Sequence, residues 1–372
     1  MWNLADLRLL RELPHVTRIS ELTINLAHFS THREALYDFA FPVALKSAEL
    51  AFIFPSPPAL TEDAEIADAN LIVLPGLVGC PALTELQLTT VMKGPPEYPF
   101  LSGTNCYWDL SPLADLRHLK TLTLNAGGRV QSQAREMQPL RQLESLEHLS
   151  LPQHGEGSQW VLALCERPHS LLRLSDLDLS GLYLTYVHLQ ALRSLPALTT
   201  LEPRSLSLPA MTLLSHFPQL LRLMIAPPEM PPELDQEPLG LPPEMAEALI
   251  PVDDASDLLQ ASFLLPFLTC TRLHTLFLER MSFSEADAEE MWRLLPALTT
   301  LTFSLCDIPS LHSLRKLLQL RSLTFEPLGS CPCDVQLEHI VACKSLKSAR
   351  LFGLGPAGGT IAADVRATSS AC

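Results

Sequence analysis

The chain has 372 residues, more than twice the length of a typical domain, and a formal net charge of −15. Its basic residues are spread along the chain without a basic cluster, so repulsion from phosphate excludes nucleic acid and anionic membranes as general partners. The 32 prolines interrupt long helices, and we therefore expect many short elements.

The cysteines and the first residues predict the compartment. Nine cysteines is an odd number, and no asparagine of the chain starts an Asn-x-Ser/Thr acceptor site. The first eleven residues carry Asp6, Arg8 and Arg11 among their leucines, so no signal peptide is expected. The longest uncharged apolar stretch, Leu71 to Leu83, is broken by prolines and is too short to cross a bilayer. We expect a soluble protein in a reducing, cytoplasmic setting.

A leucine motif recurs along the chain. The segment Leu-Pro-Ala-Leu-Thr-Thr-Leu occurs at Leu195–Leu201 and again at Leu295–Leu301. In the relaxed form Leu-x-x-Leu-x-Leu, with related apolar residues allowed, most matches follow each other within 20 to 29 residues. In chain order, the matches begin at Ile19, Leu45, Leu83, Leu119, Leu146, Leu174, Leu198, Leu220, Leu273, Leu298, Leu320 and Leu346.

Each match predicts a short strand with one buried face. The fourth and sixth positions are apolar and alternate with polar residues, as Leu122 and Leu124 do. The segments between matches carry helical spacing, for example after the capping signal Ser284-x-x-Asp287. A helical array of the HEAT or armadillo kind is the alternative, but the threonines within the motif favour strands.

These matches resemble the leucine-rich-repeat family. The full signature Leu-x-x-Leu-x-Leu-x-x-Asn/Cys-x-Leu is complete once, from Leu298 to Ile308 with Cys306 in the Asn/Cys slot. The resemblance implies an α/β solenoid (horseshoe) over residues 1–352, with about twelve irregular repeats, a parallel concave sheet and convex helices. The segment Cys80–Leu88 resembles repeats of F-box proteins, which implies substrate recognition in a ubiquitin-ligase adaptor. Other branches of the family imply a regulator that inhibits an enzyme or activates a GTPase.

Two segments depart from the repeats. Residues 226–262 form an acidic, proline-rich insertion, and no Lys, Arg or His occurs between Leu223 and Thr271. This insertion is either a docking loop for a basic partner or a solvated spacer. Asp254 to Leu265, which begins inside it, is predicted to be a helix that belongs to the next repeat. Residues 353–372 are predicted to be a disordered tail.

The chain offers little catalytic chemistry. It has no nucleophile-elbow, zincin or Walker motif, so we expect no enzyme activity and no cofactor. The match Gly353-x-Gly355-x-x-Gly358 lacks the helix that a dinucleotide site needs. The residue types of zinc ligands occur close together near the C-terminus, but their spacing is poor and no metal is expected. These are Cys331, Cys333, His339 and Cys343.

A binding surface can be read from the repeats. In a stacked array, the third, fifth and seventh motif positions share the concave sheet face, which would carry eight acids and three arginines. We expect this face to bind a protein with a basic patch. The residues expected to contribute are Asp176, Asp178, Glu202, Arg204, Arg222, Phe277 and Glu279.

Overall fold

The computed structural model divides into two compact units, which we describe one at a time. Unit 1 comprises Met1–Leu182 and Ser194–Leu198, and unit 2 comprises Tyr183–Arg193 and Thr199–Cys372. The structure describes residues 20–27, 41–54, 71–73, 75–92, 107–126, 134–150, 157–166, 171–227, 258–327, 339–340 and 342–352.

The main sheet of unit 1 has parallel strands that follow one another in chain order. They are β1 (Glu21–Ala27), β2 (Ser47–Phe54), β4 (Glu85–Met92), β6 (Thr121–Ala126), β7 (His148–Ser150) and β8 (Asp176–Asp178). A second, two-stranded sheet pairs β3 (Leu71–Val73) with β5 (Tyr107–Asp109) in parallel.

Unit 2 repeats this arrangement, again with parallel neighbours in chain order. Its main strands are β10 (Thr200–Leu201), β12 (Arg222–Ile225), β14 (Thr275–Glu279), β16 (Thr300–Cys306), β17 (Ser322–Pro327) and β18 (Ser348–Leu351). Two small sheets pair β9 (Tyr183–Leu184) with β11 (Ser205–Leu206), and β13 (Leu259–Gln260) with β15 (Met281–Ser282).

Every main strand begins two residues after the first position of a leucine motif, from Glu21 after Ile19 to Ser348 after Leu346. The fourth and sixth positions are buried, as Leu122 and Leu124 are, because alternate residues of a strand point to opposite faces. The predicted α/β fold of the leucine-rich-repeat type is therefore confirmed, and the alternative of a wholly helical array is wrong.

The returns between strands are only partly α-helical. The α-helices with both ends among the described residues are α1 (Gly157–Cys165), α2 (Tyr186–Leu192), α3 (Leu208–Met211), α4 (Ala261–Leu264) and α5 (Glu285–Leu294). The described returns also contain 3₁₀ segments, several of which include a proline, and two of them continue directly from α3 and α4. The 3₁₀ segments are Pro75–Gly79, Ser111–Asp115, Ala134–Gln142, Thr212–His216, Leu265–Phe267 and His312–Lys316.

The capping signal before α5 is confirmed. The Ser284 hydroxyl accepts a hydrogen bond from the Asp287 amide, and the Asp287 carboxylate accepts one from the Ser284 amide, both at 3.1 Å. This reciprocal pair satisfies two backbone donors that a helix start otherwise leaves open.

The helix predicted from Asp254 to Leu265 is wrong at Leu259 and Gln260. These two residues form β13 and pair with β15, and the α-helix begins only at Ala261. An extended pair held by a neighbouring strand has overridden the local helical pattern. Most of the acidic insertion 226–262 and the whole tail 353–372 lie outside the described residues.

Aromatic rings pack together in the core of unit 2. Phe303 is fully buried and lies edge-to-face with Phe283 at 5.8 Å and with Phe325 and Trp292, each at 6.1 Å between ring centroids. Such edge-to-face pairs stabilise a core beyond the area they bury. In the part of the chain that the structure describes, no helix is long and apolar enough to span a membrane.

Candidate protein-binding face

The strands of each unit present one polar face, made of the side chains at the third, fifth and seventh motif positions. Neighbouring strands pair equal positions, so Glu85 is the partner of Thr121, and Thr121 is the partner of His148. Rows of equivalent side chains therefore run across the sheet at about 4.8 Å per strand.

In unit 1, the polar face carries five carboxylates and no Lys or Arg among its described side chains. Glu21, Glu49 and Glu85 are exposed, whereas Asp176 and Asp178 are half-buried. The face of unit 1 consists of Glu21, Thr23, Ser47, Glu49, Ala51, Glu85, Gln87, Thr89, Thr121, Thr123, Asn125, His148, Ser150, Asp176, Asp178 and Ser180.

Asp178 is the most constrained carboxylate of this face. Its Oδ2 accepts a hydrogen bond from the Ser150 hydroxyl at 2.8 Å, and its Oδ1 accepts one from the Ser180 amide at 3.0 Å. Burial raises the pKa of Asp178, but the hydrogen bonds from Ser180 and Ser150 outweigh it and leave this pKa below its usual value. Asp178 is therefore a fixed negative charge at neutral pH.

Asp176 lies in the neighbouring row and is more accessible. His148 Nδ1 lies 3.4 Å from Asp176 Oδ2, and their side chains are 50% and 40% exposed, respectively. On an exposed surface such a pair contributes little to stability. At the other end of the face, the Thr23 hydroxyl lies 3.5 Å from Glu49 Oε2, so this carboxylate also points along the polar face.

The polar face of unit 2 carries balanced charge and includes the partly exposed large apolar side chains of Met224 and Phe277. Three glutamates oppose three arginines among its described side chains. The face of unit 2 consists of Thr200, Glu202, Arg204, Arg222, Met224, Ala226, Thr275, Phe277, Glu279, Thr300, Thr302, Ser304, Ser322, Thr324, Glu326, Ser348, Arg350 and Phe352.

Glu202 and Arg222 form a two-pronged ion pair. Arg222 Nε donates to Glu202 Oε1 at 3.1 Å, and its Nη2 donates to Oε2 at 3.2 Å. This fork geometry fixes both side chains in one orientation. Within the face, the arginine charge is therefore largely compensated by its neighbour.

The sequence pattern placed Glu202 and Arg204 on a strand, but β10 ends at Leu201. The residue at the sixth motif position is Pro203, which has no N–H to donate to a ladder and so ends the strand early. Arg204 is exposed in the bend that leads into β11.

Phe277 lies on β14 with apolar and hydroxyl neighbours. In the register its partners are Met224 on β12 and Thr302 on β16, and all three are partly exposed. Glu279, two residues further along β14, has Ser304 as its register partner. An aromatic side chain beside a methionine is the type of surface that anchors a protein partner.

The residues expected to contribute to binding fall into two groups. Asp176 and Asp178 lie together on β8 in unit 1. In unit 2, Glu202 and Arg222 are in contact, and Phe277 and Glu279 share β14. Sequence reasoning did not name two of the partners that contact the aspartates, namely His148 and Ser150. The motif positions could have identified both, because they precede Asp176 and Asp178 by one repeat.

The candidate metal and nucleotide residues add nothing to this face. Within the described ranges, no group of three or more His, Cys, Asp or Glu is arranged to hold a metal ion. Cys331, Cys333 and the glycines from Gly353 to Gly358 lie outside the described residues. Burial raises the pKa of the Cys343 thiol, which donates to the His339 carbonyl at 3.4 Å.

The cysteine of the complete repeat signature ties two repeats together. Cys306 is buried, and its Sγ donates to the carbonyl of Leu278 in the preceding repeat at 3.4 Å. The register between β16 and β17 shifts at this point, between Ser304 and Cys306. The thiol at the end of β16 thus links this strand to the preceding repeat.

Comparison with known proteins identifies a structural likeness but no family. No protein-family model matches the chain. No curated protein matches it either. Among solved structures, an internalin from Listeria monocytogenes is similar over 87% of this chain and 94% of its own, at 16% identity and a TM-score of 0.39.

Proposed function

We propose that this protein is a non-catalytic interaction scaffold, and that the polar face of unit 1 binds a protein with a basic patch. The observation that carries the proposal is that the strand pairing places five carboxylates on one face, with no Lys or Arg among the described side chains of that face. The carboxylates are those of Glu21, Glu49, Glu85, Asp176 and Asp178. Charge of a single sign on one surface steers an oppositely charged partner and selects against others.

The polar face of unit 2 supplies a second kind of contact in this proposal. Phe277 and Met224 give an apolar anchor, and Glu279, Arg204 and the paired Glu202 and Arg222 give the polar rim around it. Buried aromatic side chains commonly carry most of the energy of an interface. We therefore expect substitution of Phe277 in unit 2, as well as charge reversal at Asp176 in unit 1, to weaken binding.

The test is affinity capture by the intact chain with quantified recovery. We expect the double charge reversal Glu85→Lys/Asp176→Lys to lose proteins that the unchanged chain retains, because each substitution replaces attraction of a basic patch by repulsion. Retention by the unchanged chain should also fall as the salt concentration rises, since exposed charges are screened over about 10 Å at 0.1 M.

The matched control is Asp115→Lys/Glu144→Lys, which makes the same change in net charge at exposed positions of unit 1 outside the strands. This control should retain the partners of the unchanged chain. Equal recovery by the Glu85→Lys/Asp176→Lys chain would refute the assignment of the polar face of unit 1 as the binding surface. Phe277→Ala, tested in the same way, decides whether the face of unit 2 takes part.

A finer proposal is that the scaffold recognises substrates within a ubiquitin-ligase adaptor. It is supported by the F-box-like segment Cys80–Leu88, in which Cys80 is buried and its Sγ lies 3.6 Å from the Pro42 carbonyl of the preceding repeat. The five described cysteines are free thiols, which agrees with a cytoplasmic setting for such a role. Co-capture of ligase subunits would support the adaptor role.

The alternative is a regulator that inhibits a partner enzyme or activates a partner GTPase. The same acidic face would serve this function by covering a basic active-site surface. The two roles differ in one measurement. A regulator changes the turnover of its purified partner at stoichiometric concentration, whereas an adaptor leaves that turnover unchanged.

A further inference from the structure

Two histidines from consecutive repeats of unit 2 face each other on the helical side. His312 begins the 3₁₀ turn His312–Lys316. His339 follows 27 residues later in the chain and lies in the return segment that leads into β18. Their Nδ1 atoms lie 3.4 Å apart, and their rings stand edge-to-face with centroids 4.8 Å apart. Both side chains are partly exposed, so this pair is open to ions from solvent.

The distance between the two nitrogens is long for a hydrogen bond and also fits a shared metal ion. Hydrogen bonds with nitrogen donors mostly span 2.7–3.2 Å between heavy atoms. Two imidazole nitrogens at 2.0–2.1 Å from one tetrahedral ion lie about 3.4 Å apart. The observed separation equals the edge of that tetrahedron.

The surrounding charges set the strength that such a site can have. Lys316 Nζ is paired with Glu289 Oε1 at 2.9 Å, so these two charges largely cancel beside His312. The hydrogen bond and charge of Lys316, with smaller contributions from His312 and Arg315, hold the pKa of Glu289 below its usual value. Arg315 remains as a nearby cation that opposes metal binding, and we expect modest affinity.

The neighbouring thiol is not a ligand of this pair. Cys343 is buried, and its Sγ donates to the His339 carbonyl at 3.4 Å. Within the described residues no third protein ligand completes the set. A zinc ion held by two imidazoles can take water in its open positions.

We propose that His312 and His339 form a two-histidine site for a zinc-type divalent ion, which joins two consecutive repeats of unit 2 through their Nδ1 atoms. Nitrogen ligands of this kind bind zinc, copper and nickel, and the ion would add a cross-link on the side opposite the polar face. The proposal is independent of the function proposed above.

The test is a titration of the chelator-washed, full-length chain with Zn²⁺, observed through the imidazole ¹⁵N resonances by NMR. His312→Ala and His339→Ala each remove one set of resonances and so assign the pair. We expect the Nδ1 resonances of both histidines to shift together at the same zinc concentration. Loss of either imidazole should abolish the shift of the other, while far-UV circular dichroism shows that both variants remain folded.

The matched control is His274→Ala, which removes an exposed histidine of unit 2 that precedes β14. This variant should retain the joint shift of His312 and His339. A pair that is only hydrogen-bonded would leave both resonances unchanged by zinc and would overturn the proposal. A shift of one histidine that persists after loss of the other would overturn it equally, because it would place the ion at a different set of ligands.

Discussion

Removal of the Ser313 hydroxyl should destabilise unit 2 far more than removal of an exposed serine hydroxyl would. The indole Nε1 of Trp292 on α5 donates to Ser313 Oγ at 2.8 Å, and each of these residues is only 3% exposed. Ser313→Ala leaves the indole N–H buried without this acceptor, and an unsatisfied buried donor costs about 1–3 kcal/mol. We expect the free energy of unfolding to fall by that amount.

A double-mutant cycle isolates the hydrogen bond from the packing of the ring. Trp292→Phe removes the donor but keeps an aromatic ring near Phe303, with which Trp292 makes an edge-to-face contact. In the Trp292→Phe chain, Ser313→Ala leaves no buried donor without an acceptor. The serine substitution should therefore lower the free energy of unfolding by about 1 kcal/mol less in that chain than in the unchanged chain. Urea unfolding followed by far-UV circular dichroism measures all four chains by one probe.

The control for this cycle is Ser262→Ala, at an exposed position of α4. Surface substitutions of this type change stability by less than about 0.5 kcal/mol. The prediction would be contradicted if Ser313→Ala lowered the free energy of unfolding no more than Ser262→Ala does, or if the cycle gave no coupling energy. The hydrogen bond between Trp292 and Ser313 would then not stabilise unit 2.

Two further predictions concern titratable groups. Because the folded-state pKa of Asp178 is lowered from 3.8, its ionised form stabilises the fold above that pH, and this contribution disappears as the pH falls through the lowered pKa. The urea midpoint of Asp178→Asn should therefore lie below that of the unchanged chain at pH 7, and the two midpoints should approach each other below pH of about 3.8. A difference that does not change with pH would contradict a stabilising role of the ionised Asp178. Burial raises the pKa of Cys80, Cys165 and Cys270 to about 11 and that of Cys306 to about 12, so iodoacetamide at pH 8 should label these thiols only after unfolding, as peptide mapping can check.

The strands could be predicted from the sequence because their position in each repeat is tied to the leucines. A slip of one residue would turn Leu122 and Leu124 to the solvent and Thr121 and Thr123 to the core, which fixes the register wherever one face is buried. The register of equal positions then places Ser150 beside Asp178 and Thr23 beside Glu49. The polar face thus follows from the same pattern that predicts the fold.

Thr200 shows where position alone is insufficient. It occupies a third motif position like Thr275 and Thr300, yet it is only 6% exposed. Its register partner is Arg222, which reaches across to Glu202 and so lies beside the threonine. The accessibility of Thr200 therefore depends on its side-chain neighbours, which the motif does not encode.

The return segments could not be predicted in the same way, because they share neither length nor composition between repeats. Prolines such as Pro112 and Pro139 lie within 3₁₀ segments, while α5 has no proline and a capping box. His312 precedes its motif leucine, Leu320, by eight residues, whereas His339 precedes Leu346 by seven. Because the two histidines lie at different distances from their motif leucines, they do not occupy the same position of the repeat. Their contact therefore depends on how the two return segments pack and cannot be read from the motif. Strand positions therefore determine the polar face, and chemistry on the helical side depends on how each return segment packs.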